Sequence, residues 1–139
     1  MIILDTSGLL AALDASERHH AAAAGALRAA GPAKLLSPFV LAELDYLLAT
    51  RVDRRVARAF LDEVAQGAYQ LQAFDAVDVR AAATVLERYA DLDLGLADAS
   101  LVVLAARHGT SDILTLDERH FRAVKDERGR PFRLLPADA

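Results

Sequence analysis

Met1-Ile2-Ile3-Leu4-Asp5-Thr6-Ser7-Gly8 is the stretch on which the reading of this chain turns. Its first four residues are a short apolar, β-prone run that stops at an acid and small polar residues, and a helix-prone stretch, Leu9 to Leu13, follows at once. A strand that breaks off into a helix opens a β–α unit. The same alternation continues outward. Ser16 is expected to cap a helix over 17–30 that Gly31-Pro32 stops, and Lys34-Leu35-Leu36 reads as a strand. Ser37-Pro38 supplies an N-cap with proline at the first helical position, and Val40, Leu44, Leu47 and Leu48 carry that helix to about Thr50. Asp53 caps a helix with Val56, Phe60, Leu61 and Val64 on one face, ending at Gly67. Tyr69 to Ala73 alternates as a strand. Asp75 to Tyr89 is an amphipathic helix on Val79, Ala82, Ala83, Leu86 and Tyr89, and residues 91–95 form a loop. Leu96 to His108 is an apolar helix stopped by Gly109, Asp112 to Leu116 a strand, Asp117 to Val124 a short helical turn, and Phe132 to Leu135 a last strand.

Strands separated by helices pair in parallel, because each must return through a crossover. The expected architecture is α/β: a three-layer α/β/α sandwich around a short-stranded, mainly parallel sheet, with residues 1–139 as one domain. In such a sheet, ligands sit beyond the carboxyl ends of the strands, where strand order reverses.

Composition narrows the chemistry. The chain is 54% hydrophobic, too apolar for a disordered polymer, and the absence of cysteine excludes disulfides, thiolate zinc sites and a cysteine nucleophile. No apolar run approaches the roughly 18 residues of a membrane helix. The start lacks a basic n-region, so a cytoplasmic protein is expected. A net charge of -4 speaks, as a total, mildly against a nucleic-acid partner.

Four acids occupy unexpected places. Asp5 and Asp117 each follow an apolar strand, where an acid can cap the next helix or stand at the carboxyl edge of the sheet. Glu43 lies between Val40 and Leu47 on a helical face, either on the apolar stripe or at its edge, and an uncompensated carboxylate on such a stripe costs several kcal/mol. Asp98 interrupts the otherwise nearly continuous apolar run Leu96 to Leu104, although a first-turn acid also suits the positive end of a helix. The two lysines, Lys34 and Lys125, lie elsewhere in the sequence. Carboxylates that converge resist ionising together, and a hard divalent cation removes the conflict; oxygen-only ligation favours Mg²⁺ or Mn²⁺ over zinc. The hydroxyls of Thr6, Ser7 and Ser100 are placed to orient water beside such a site.

Asp5-Thr6-Ser7 after the first strand, Glu43 within Leu41-Ala42-Glu43-Leu44, Asp98-Ala99-Ser100 after Leu94-Gly95-Leu96, and Leu114-Thr115-Leu116-Asp117 together resemble the PIN-domain ribonucleases, in their small form the VapC toxins of bacterial toxin–antitoxin pairs. The resemblance covers essentially the whole chain, in the family's order. It implies an Mg²⁺- or Mn²⁺-dependent endoribonuclease with Asp5, Glu43, Asp98 and Asp117 as its acidic cluster, leaving 5′-phosphate and 3′-hydroxyl ends. It also implies a homodimer and an antitoxin whose C-terminal segment covers the active site; an arginine inserted from that segment would neutralise the acidic pocket and displace a metal, which the electrostatics favour.

Positive charge gathers in two stretches. Residues 51–58 hold four arginines against Asp53, and 118–133 hold six cations against three acids. The second stretch begins beside Asp117, which favours Arg119 and Arg122 as phosphate contacts, whereas 51–58 reads more simply as solvated surface. The four histidines match no metal spacing and are expected at the surface. Two other classes compete with the enzyme. A receiver-like phospho-acceptor module needs an acidic pair before its acceptor strand and a late lysine, yet Asp5 ends the first strand alone and Asp117 stands where that lysine belongs. A catalytically inactive RNA-binding domain has no reason to keep four acids in apolar company. An Asp-x-Asp phosphatase is disfavoured because Ser7 occupies the second position.

Overall fold

A computed structural model describes residues 1–139. Its elements run β1 (Ile2–Leu4), α1 (Thr6–Leu13), α2 (His20–Ala29), β2 (Lys34–Leu36), α3 (Pro38–Arg51), α4 (Arg54–Ala65), β3 (Gln70–Leu71), α5 (Ala76–Arg88), α6 (Leu96–His108), β4 (Asp112–Leu114), α7 (Glu118–Phe121) and β5 (Arg133–Leu135). The five strands form one sheet of order β3-β2-β1-β4-β5, parallel at every pairing. Ile2, Ile3, Leu4, Leu35, Leu36, Ile113 and Leu114 are all fully buried, so both faces of the central strands are covered. The expected three layers follow from that, with helices flanking an all-parallel sheet.

Several helix signals act as the sequence announces. Ser37 Oγ accepts from the Phe39 amide with Pro38 behind it, and Asp53 accepts from the Arg55 amide. Asp75 and Asp78 close a reciprocal capping box on α5. Gly109 ends α6 at φ 64°, a left-handed conformation that glycine adopts without strain. Elsewhere the expectations need correction. Ser16 does not cap α2: its amide and hydroxyl both bond Asp14, and the helix starts only at His20, whose ring Nδ1–H donates to the Ala11 carbonyl. Val79 is exposed, because Ala82 and Val85 alone carry the fully buried face of α5. The 69–73 strand shrinks to two residues at the sheet edge, and α7 is a single turn. β4 ends at Leu114, so Asp117 stands three residues beyond the strand rather than directly after it.

The order of strands places the switch point between β1 and β4. Strands β2 and β3 extend the sheet beyond β1 and β5 extends it beyond β4, so the connections diverge and leave a crevice at the carboxyl ends of β1 and β4. α1 enters this crevice unusually close to β4. A Cβ built on Gly8 would stand 2.4 Å from the Leu114 carbonyl oxygen and 2.7 Å from the Thr115 nitrogen. Gly8→Ala is therefore expected to lower stability by about 2–3 kcal/mol, read as a shifted midpoint in chemical denaturation, since neither backbone can yield. Gly25→Ala in α2, where the nearest atom is Arg28 Nη2 at 4.0 Å, is expected to raise it by about 0.5–1 kcal/mol.

Candidate active site

Beyond the carboxyl ends of β1 and β4 lies a cleft of about 340 Å³. Asp5, Glu43, Asp98 and Asp117 all line it, together with Thr6, Ser7, Glu17, Arg51 and the side chains of Leu10, Leu47 and Leu116. Four separate segments of sequence thus deliver one acid each to a single cleft.

Asp5 is the most deeply placed, 6% exposed. Its carboxylate makes no side-chain cap on α1, which sets aside the simple helix-cap reading. Instead Oδ2 accepts from Ser7 Oγ at 2.8 Å and from Thr115 Oγ1 at 2.7 Å. Each hydroxyl in turn accepts a backbone N–H, Ser7 from Leu116 and Thr115 from Asp117. With both protons committed to Asp5, the 3.2 Å approach of the two hydroxyls is a contact within the network and not a further donation. Burial pushes the Asp5 carboxyl up to about 6 against the hydroxyl bonds that favour its ionised form, and the Asp98 charge adds to the rise.

Asp98 sits in the first turn of α6 and accepts the Gly95 amide at 3.1 Å, so it does act as a helix cap while facing the cleft. Burial raises its pKa; the Gly95 bond and His120 oppose this, and Asp117 and Glu43 reinforce it. Asp117 caps α7 through Oδ1 and takes the His120 Nδ1–H on Oδ2 at 2.8 Å. Glu43 is an exposed residue. Val40, Leu44 and Leu48 form the buried stripe of α3, and Glu43 stands at its edge with Leu47, turned to the cleft.

The remaining expectations divide. Thr6 and Ser7 line the cleft, and the buried Thr6 Oγ1 has no hydrogen-bond partner. Ser100 does not face the cleft: its hydroxyl donates to the Ala97 carbonyl and accepts from Ser37 Oγ at 2.7 Å, which ties the start of α3 to α6. Arg122 is not free for phosphate, because Glu118 and Asp138 hold its guanidinium and raise its pKa. Arg119 is exposed and unpaired but outside the cleft lining. Among the histidines only His19 is exposed; His20, His108 and His120 are half-buried and bonded. Thr115, His120 and Arg51 also belong to the site, although the sequence pattern assigns Thr115 no role and places His120 and Arg51 at the solvated surface. Thr115 lay inside a quoted motif, and His120 follows Asp117 by three, the spacing of neighbours on one helical turn.

The donor set fits a hard divalent cation. Every acidic ligand candidate offers oxygen, Arg51 is the only cation on the cleft wall, and no lysine lines it. No three His, Cys, Asp or Glu side chains stand close enough together to enclose an ion. The fit rests on the oxygen donors themselves, since Mg²⁺ takes oxygen ligands and keeps several waters, and on the unpartnered Thr6 hydroxyl, a bonding group left over at the wall.

Comparison with known proteins points the same way. Residues 2–127 match the PIN domain family. The chain is 45% identical to Ribonuclease VapC26 of Mycobacterium tuberculosis over 135 residues, 97% of this chain and 100% of that protein. Its fold is similar to that of Mycobacterium tuberculosis VapC20, described as a Sarcin-Ricin loop cleaving toxin, with a TM-score of 0.78 and 22% identity over 85% of this chain and 91% of that one. It is also similar to a chain of a toxin–antitoxin complex from Klebsiella pneumoniae, with a TM-score of 0.68 and 18% identity over 89% and 92% of the two chains.

The buried Asp5 carboxylate has a cost in the metal-free protein. Its carboxyl titrates near 3.8 when exposed and near 6 here, so the folded state is penalised by about 2–3 kcal/mol at pH 7. The penalty is absent below about pH 4, grows between about pH 4 and pH 6, and is level above that. Asp5→Asn keeps an oxygen for Ser7 and Thr115 and removes the charge. In EDTA it is expected to stabilise the protein at pH 7 and to leave stability nearly unchanged at pH 4, as read from denaturation midpoints.

Proposed function

The chain belongs to the PIN-domain family and, within it, to the VapC ribonucleases, and from that premise we propose that it is a divalent-metal-dependent endoribonuclease, the toxin of a toxin–antitoxin pair. The observation that carries the metal-dependent reading is the convergence of Asp5, Glu43, Asp98 and Asp117 on one cleft at the switch point of the sheet, with a single cation on its wall. Mg²⁺ or Mn²⁺, when bound, supplies a water acidic enough to attack phosphorus near neutral pH and a counter-charge for the phosphate in the transition state.

The chain's own residues do the rest. Asp5 and Asp98, set back in the cleft by burial, would hold the cation, and Glu43 and Asp117 on the same cleft would serve as further ligands or as proton acceptors. Because the four carboxylates act on one another, the proton belongs to the set rather than to one named base. Ser7 and Thr115 fix the Asp5 carboxylate, leaving it little freedom to swing when charge builds up. His120 does the same for Asp117. The Thr6 hydroxyl is available to the phosphate or to an ordered water. Arg119, exposed on α7, offers a phosphate contact outside the cleft.

An antitoxin partner suits the chemistry: a cleft lined by five acids and one arginine accepts an inserted arginine from another chain as readily as a metal ion. A homodimer and a cytoplasmic site of action complete the proposal. No helix is long and apolar enough to cross a membrane.

The purified protein is expected to cleave single-stranded RNA in Mg²⁺ or Mn²⁺ and to be silenced by EDTA. Asp98→Asn should lower the cleavage rate by about a hundredfold or more, as loss of a metal ligand does. Mg²⁺ should also raise the thermal midpoint of the wild-type chain and not that of Asp98→Asn. Undiminished cleavage by Asp98→Asn would remove that residue from the site.

A further inference from the structure

We propose that the tip of the α3–α4 helical hairpin is the surface on which the RNA backbone is gripped, with Arg51 at the cleft wall and Arg54, Arg55 and Arg58 continuing the track away from it. The proposal rests on the ribonuclease reading and names where its substrate lies.

The structure reverses the ranking of the two basic stretches. In the later one, Arg122 is held by Glu118 and Asp138, Arg130 by Asp126 and Arg133 by Asp112. Half of its cations are thus spent inside the fold. In the earlier stretch all four guanidiniums are exposed, and none joins an ion pair or side-chain hydrogen bond, although Asp62 stands four residues beyond Arg58 on the same helix. The one nearby acid, Asp53, has turned its carboxylate to the Arg55 amide as a helix cap.

The positions of these charges are also ones the fold itself disfavours. Arg54 and Arg55 open α4, at the positive end of its dipole, with no acid in the first turn. Cations there lose energy in the folded chain. Arg51 alone is well placed for its helix, in the last turn of α3. α3 leaves the carboxyl end of β2, and its final residue, Arg51, still lines the cleft, so the hairpin tip that follows in the chain is contiguous with the cleft wall. Unpaired charge kept at a cost, contiguous with a cleft built for a phosphodiester, is complementary to a polyanion that enters that cleft. Single-stranded RNA meets this requirement, since Arg51 next to the acids can hold a phosphate that the carboxylates would otherwise repel.

The test measures binding of a fluorescein-labelled single-stranded RNA to the Asp98→Asn protein in Mg²⁺, by anisotropy, over a series of salt concentrations. Each lost phosphate contact should make the slope of log affinity against log salt shallower by about 0.7. Arg51→Gln/Arg54→Gln/Arg55→Gln should therefore flatten it by about 2 and weaken binding at least about tenfold at moderate salt, with a thermal midpoint no lower than the parent's. Lys125→Gln/Arg128→Gln, two unpaired cations of the other stretch, is expected to leave the slope nearly as it was. Equal slopes and affinities for the tip variant and its Asp98→Asn parent, with cleavage shown by the wild-type chain, would overturn the proposal. So would a tip variant that keeps RNA but loses a poly-glutamate probe, which would make the hairpin a surface for an acidic protein. A wild-type chain that neither binds nor cleaves RNA would instead sink the ribonuclease reading, and the tip proposal with it.

Discussion

One carboxylate oxygen holds the two halves of this molecule in register. Asp5 Oδ2 ends β1 and receives hydroxyls from Ser7, at the start of α1, and from Thr115, just past β4; those hydroxyls are themselves bonded to the amides that lead into Asp117. The bond between the ends of neighbouring strands is possible only because Gly8 lets α1 lie against the Leu114 carbonyl. A methyl group there would part the network by more than the length of its hydrogen bonds can absorb. The site and the fold thus share a linchpin, and the deepest acid of the cleft is also a structural acceptor.

Around that point the other acids are braced in different ways. Asp98 is held by the Gly95 amide, Asp117 by His120, and the helices carrying Glu43 and Asp98 are joined through Ser37 and Ser100. Only Glu43 has no bond of its own, and it is the most exposed of the four. The arrangement concentrates desolvated negative charge on the Asp5 side of the cleft and leaves the Glu43 side open to solvent and to the one arginine of the wall. Electrostatic strain of this kind favours whatever cation completes the site.

The order of strands and helices was legible because each boundary has a local cause: Ser37-Pro38, Asp53, the Asp75–Asp78 pair and Gly109 act within one turn of where they stand. The four acids were legible for a related reason, since a charge among apolar neighbours is visible along the chain. What could not be read depends on approach in three dimensions. Thr115 matters because β4 lies beside β1, and Ser100 turns to Ser37 because α6 packs on α3. Arg51 reaches the cleft because a hairpin rises from β2, a geometry that no local pattern encodes. Ser16 misled because a nearer acid, Asp14, outcompeted the helix for its hydroxyl.

The brevity of the sheet has a consequence for how copies of this chain meet. No strand exceeds three residues, and the β3 edge offers only two, Gln70 and Leu71. At about 3.3 Å per residue, such an edge spans barely the width of one peptide ladder rung and its neighbour, too little to template strand addition or a cross-β stack. Edges this short disfavour self-association through main-chain pairing. A dimer of this chain is left with helix and loop surfaces, where side chains rather than backbone choose the partner.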